Sequence, residues 1–144
     1  MTADGPDDYV LDETLLRTVA QRLGGLTLVD RVSVFPNSHP ESVVARFDNQ
    51  FYPSWMDQVR LELRAYLDDS FSITYREEWA GQAWMCRWDR HENPHSSRDH
   101  FHEPPDARTE DAIDRDFPDD YMRILEIILE FIDERLGTVW EIDR

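Results

Sequence analysis

Apolar and polar residues alternate most regularly between positions 58 and 89. Val59, Leu61, Leu63, Ala65 and Leu67 alternate with Gln58, Arg60, Glu62, Arg64 and Tyr66, the two-residue period of a half-buried strand. After the turn residues Asp68-Asp69-Ser70, the residues Phe71, Ile73, Tyr75 and Trp79 alternate with Ser72, Thr74, Arg76 and Glu78. Ala80-Gly81-Gln82 turns the chain again. Trp84, Cys86 and Trp88 then share one side, and Met85, Arg87 and Asp89 share the other. Connections this short join antiparallel neighbours, so the three strands form a meander with one face in need of cover.

Two segments with a helical period supply that cover. Asp12 is placed to cap a helix running to about Leu23, Leu11 and Leu16 have the spacing of a hydrophobic staple, and Leu15, Leu16, Val19, Ala20 and Leu23 form its apolar stripe. Gly24-Gly25 ends it. A second helix runs from about Pro118 to Leu136, with Pro118 in its first turn and Gly137 as its stop. Tyr121, Ile124, Leu125, Ile128, Ile132 and Leu136 face the core, while Ile127, Leu129 and Phe131 widen the apolar surface enough for a homodimer contact. Between the first helix and the meander, Thr27–Phe35 and Ser42–Phe47 read as two further strands joined by a turn from Pro36 to Pro40. Residues 1–10 read as a mobile tail and Glu103–Asp116 as a polar loop. The expected fold is α+β: an antiparallel β-sheet packed by an N-terminal and a C-terminal helix, in a single domain spanning 11–144.

Composition adds a constraint on environment. The 144 residues include 31 acidic and 15 basic side chains, a formal net charge of −16, and every basic residue is Arg. Such a charge repels itself in dilute buffer. At molar salt the screening length falls to about 3 Å and the repulsion is largely removed. An acidic surface without lysine resembles that of cytoplasmic proteins of haloarchaea. It excludes a broad basic surface for nucleic acid. It leaves open a nucleic-acid substrate held by stacking and a few local arginines, because counterion release contributes little at molar salt. No apolar run has membrane-spanning length, and Met1–Asp8 lacks the basic and apolar regions of a secretory signal, so the expectation is a cytoplasmic protein with no membrane partner. The lone Cys86, in an aromatic strand, reads as a buried thiol.

Candidate chemistry concentrates after the third meander strand. Four of the five histidines, His91, His95, His100 and His102, fall between Arg87 and Glu103 with Arg87, Arg90 and Arg98. Histidine pairs move protons near neutral pH, taking one from a 2′-hydroxyl and giving one to a leaving 5′-oxygen. Guanidinium forks hold a phosphate and the charge that develops on it. His95, His100 and His102 are therefore the candidate acid and base groups, with Asp89 orienting one of them, and Arg87, Arg90 and Arg98 the candidate phosphate ligands. This is a metal-independent ribonuclease constellation without a cofactor. The alternatives are a zinc site at His100 and His102, which the His-x-His spacing on an extended segment would suit, and a solvated polar loop that only binds a protein partner.

The order of these pieces resembles the TumE-like toxins of prokaryotic toxin–antitoxin systems, especially their haloarchaeal members. The matching pieces are a β-meander, Arg87-Trp88-Asp89, Pro94-His95, His100-Phe101-His102 and a closing helix, over about residues 54–136. Arg90 after Asp89 and Ser96 after His95 depart from the family pattern. The resemblance implies a toxin whose partner is a helix-turn-helix antitoxin. The RNA-cleaving reaction is read from the residue chemistry, not from the family.

Overall fold

The computed structural model describes residues 10–91 and 98–142. Its elements are α1 (Glu13–Gly24), β1 (Val29–Val34), β2 (Val43–Phe47), β3 (Gln58–Ala65), β4 (Phe71–Trp79), β5 (Gln82–Arg90), β6 (Asp99–His102), β7 (Ile113–Asp114) and α2 (Tyr121–Glu141). All seven strands join one antiparallel sheet in chain order. The α+β class, the N- and C-terminal helices and the single domain are as the sequence pattern predicts. The meander is wider than expected, because the β1–β2 pair adds to one side and β6–β7 to the other.

The alternating positions sort onto two faces. Val59, Leu61, Leu63, Ala65, Phe71, Ile73, Tyr75, Cys86 and Trp88 are buried beneath both helices with Leu16, Val19, Leu23, Ile124, Leu125, Ile128 and Ile132. Arg22 bridges the helices through Glu126 at 2.9 Å. The opposite face carries Arg60, Glu62, Arg64, Arg76 and Glu78, partly exposed, with Arg60–Glu78 paired across β3 and β4 and Arg64–Glu62 and Arg76–Glu78 paired along one strand each. Burial raises the Cys86 thiol well above its ordinary range, in keeping with an inert core residue.

A charged contact lies inside this core. Glu77 is fully buried and accepts from Arg135 at 2.7 and 2.9 Å and from the Tyr75 hydroxyl at 2.7 Å. The Arg135 guanidinium also lies 3.6 Å from the centre of the Trp84 ring. Every charge is matched, so the contact fixes α2 against β4 and β5.

The helix ends differ in part from expectation. Asp12 caps α1 through the Leu15 N–H at 3.1 Å as predicted. The start of α2 is set by Asp120, which accepts from the Met122 N–H at 2.9 Å, so Pro118 stays outside the helix. Gly137 does not stop it. Val139 is fully buried and the Trp140 indole donates to the Phe51 carbonyl at 2.9 Å, which anchors one more turn. Val10, read as the end of a tail, accepts from the Leu67 N–H at 2.8 Å; the rest of that stretch lies outside the described residues.

Candidate functional site

The sequence pattern places the chemistry at and after the end of the third meander strand, and the structure puts most of it on two paired strands. Arg87–Arg90 ends β5 and Asp99–His102 forms β6, with Arg87 opposite His102, Trp88 opposite Phe101, Asp89 opposite His100 and Arg90 opposite Asp99. Strand alternation then divides the residues. Arg87, Asp89, His100 and His102 lie on the open face, whereas Trp88, Arg90, Asp99 and Phe101 belong to the covered one. β7 sets Asp114 opposite His100, and Ser72 and Thr74 are the small neighbours on β4.

Asp89 is the centre of the open-face group. Its Oδ2 accepts from His102 Nε2 at 2.7 Å and from Arg87 Nε at 3.3 Å. His102 is almost wholly buried, and its Nδ1 lies 3.2 Å from the Arg108 carbonyl oxygen. An Arg87 amino nitrogen is 3.3 Å from both His102 ring nitrogens. His102 is thus enclosed, and its place in the geometry is to hold Asp89.

The other carboxylate oxygen is different. Among the described residues, Asp89 Oδ1 and His100 Nδ1 are both buried without a hydrogen-bond partner, and they lie 3.7 Å apart. His91 Nδ1 lies 3.8 Å from the same oxygen, and the His91 and His100 rings are 5.3 Å apart between centres. The His91 N–H donates to the Arg98 carbonyl at 2.9 Å, which extends the β5–β6 ladder past the strand ends. The His91 side chain is 55% exposed, while that of His100 is 10% exposed with Nε2 at 3.6 Å from Asp114 Oδ1. One accessible imidazole therefore stands over a buried carboxylate and a second, nearly buried imidazole.

Arg90 and Arg98, expected to hold phosphate with Arg87, point elsewhere. The Arg90 guanidinium is 2% exposed and pairs with both Asp99 oxygens at 2.7 and 3.0 Å. It also donates to the Phe117 and Pro118 carbonyls at 3.0 and 3.1 Å. Hydrogen bonding to Asp99 raises its pKa. Burial alone would push the Asp99 carboxyl up, but Arg90 and the Phe117 N–H outweigh it and leave Asp99 below its ordinary value. No side of Arg90 remains for a ligand, because the alternation that puts Asp89 outside puts its neighbour inside. Arg98 pairs with Asp69 at 3.6 Å and Asp119 at 3.8 Å. Of the three arginines, Arg87 is the one that joins the open-face group. His95 lies outside the described residues.

His91 and Asp114 were not among the residues assigned roles from sequence. His91 carried a signal, since it continues the Arg87, Asp89 alternation along the strand direction. Asp114 carried none, because the short β7 interrupts a segment that reads as loop. His102 does not belong to the group of described residues whose potential ligand atoms lie within 4.8 Å of one another, and both its nitrogens already face oxygen atoms. Beyond His102, a hollow of about 460 Å3 is lined by Glu103, Asp106, Arg108 and Asp111 among others. Its three carboxylates and one guanidinium suit a polyanion poorly.

Among the described residues, no helix is long and apolar enough to cross a membrane. No curated protein and no solved structure matches the chain. A family model, described as Toxin TumE, matches residues 14–136, from α1 through most of α2 and across the whole open-face site. The chain therefore belongs to the TumE toxin family of toxin–antitoxin systems.

Proposed function

We propose that this toxin acts by cleaving RNA at the Asp89 site, without a metal ion in the reaction. The observation that carries the reading is the arrangement around one carboxylate: His102 and Arg87 fix one oxygen, and His91 and His100 flank the other. Among the described histidines of this group, His91 is the ring that reaches solvent. It takes the proton of a 2′-hydroxyl as that oxygen attacks the adjacent phosphorus. His100, whose Nδ1 and Nε2 lie 3.7 and 3.6 Å from Asp89 Oδ1 and Asp114 Oδ1, returns a proton to the departing 5′-oxygen. Arg87, partly exposed, stabilises charge on the pentavalent phosphorus. The products are a 2′,3′-cyclic phosphate and a 5′-hydroxyl. Family membership implies an antitoxin; a helix-turn-helix protein is the partner we propose for it.

The test is RNA cleavage by purified protein in molar KCl with a chelator present. Cyclic phosphate ends should form, and His91→Ala and His100→Ala should each slow the reaction by about 10²- to 10⁴-fold. Cleavage that persists when both are replaced ends the proposal.

A further inference from the structure

The atoms around Asp89 Oδ1 have a second capacity. We propose that Asp89, His91 and His100 bind one zinc-class divalent ion, and that an occupied site is closed to the RNA chemistry above. The exclusion rests on that reading; the binding does not. Among the described residues, this trio is the one group whose potential ligand atoms all lie within 4.8 Å of one another. The two nitrogens stand 3.7 and 3.8 Å from the shared oxygen. Ligands about 2.1 Å from a tetrahedral ion lie about 3.4 Å apart, so both nitrogen–oxygen separations need to close by only a few tenths of an ångström, and the two nitrogens, within 4.8 Å of each other, by at most about 1.4 Å.

Two further features fit an ion. Asp89 Oδ1 and His100 Nδ1 are buried and lack hydrogen-bond partners among the described residues, which is costly for both atoms and is relieved by one cation between them. The outer contacts also suit a metal site. Asp114 faces His100 Nε2 at 3.6 Å, on the far side of the ring from the proposed ion. His102 and Arg87 hold the other Asp89 oxygen and so aim Oδ1 at the ion. A carboxylate behind a ligating imidazole and hydrogen bonds to a ligating carboxylate are the common supports of such sites. Two imidazoles with one carboxylate favour zinc, cobalt or nickel over magnesium or calcium. Three protein ligands leave a position for water, and the exposed His91 lies on the path of entry. An ion held at both Nδ1 atoms occupies the lone pairs there, so neither atom can take up a proton.

The full chain, freed of metal by a chelator, is titrated with zinc by calorimetry and with cobalt by visible absorption. The expected result is one ion per chain and cobalt bands of a four-coordinate nitrogen and oxygen site. His91→Ala, at an exposed position, should weaken binding by at least about tenfold, since even loss of an outer contact costs that much. His39→Ala, beside Glu62 and remote in sequence from the trio, should bind as the native chain does. No stoichiometric binding, or undiminished binding by His91→Ala, overturns the site. In the RNA assay, zinc should suppress cleavage and chelator should restore it; stimulation by zinc overturns the exclusion. Failure to cleave RNA under any condition removes the proposed reaction, while the titrations still decide the metal site.

Discussion

Two consecutive cross-strand pairs between β5 and β6, Asp89 with His100 and Arg90 with Asp99, have opposite fates. The Arg90–Asp99 pair lies on the covered face and is saturated: two bonds between the side chains, two from Arg90 to backbone carbonyls, and one from the Phe117 N–H to Asp99. It ties the sheet to the segment leading into α2. The Asp89–His100 pair lies on the open face, and among the described residues each partner keeps a buried atom without a hydrogen bond. One residue along the ladder thus separates a lock from a site. Saturation spends the bonding capacity of charged groups on the fold, whereas incomplete satisfaction leaves it for a ligand or a proton.

Breaking the lock should have the largest effect on stability. Arg90→Ala removes the guanidinium that makes two of the bonds to the buried Asp99 carboxylate, an expected loss of roughly 3–5 kcal/mol read from the urea midpoint. The pair also predicts the acid limb. Asp99 titrates below its ordinary value in the folded chain, so its stabilisation is complete above about pH 4 and is lost as pH falls through the lowered value. Asp99→Asn should flatten the stability–pH curve in that window, which denaturant titrations at successive pH values would show.

On the open face, His102→Ala should cost less, about 1–3 kcal/mol, because it removes one bond from Asp89 Oδ2 but leaves Arg87 beside that oxygen. Its effect on cleavage should follow from a less firmly held Asp89. His91→Ala should be the mildest structurally, within about 0.5 kcal/mol of the native chain by thermal melting. It should nonetheless remove most of the RNA cleavage. Equal losses of stability for Arg90→Ala and His91→Ala would erase the distinction between the two pairs.

The division between the pairs was partly legible in the sequence. Strands β3 and β4 and the core side of β5 follow from alternation, and the same period already placed Arg90 with Trp84, Cys86 and Trp88. Reading Arg90 as a phosphate ligand set that period aside. β6 was harder: all four of its residues are buried, three of them polar and held by pairing, so no apolar alternation marks it as a strand. β7 spans two residues and leaves no pattern. The extent of α2 depended on contacts distant in sequence, namely Trp140 with Phe51 and the burial of Val139, which override an exposed helical Gly137. The histidine cluster was legible as composition. Which rings meet was not, because that depends on the β5–β6 register and on Asp114 from β7.

The most direct test of the Asp89 site is growth arrest by the His91→Ala toxin, expressed without its antitoxin at the level of the native chain. The account predicts that cells keep growing although the protein is folded. Arrest as complete as with the native toxin would contradict it.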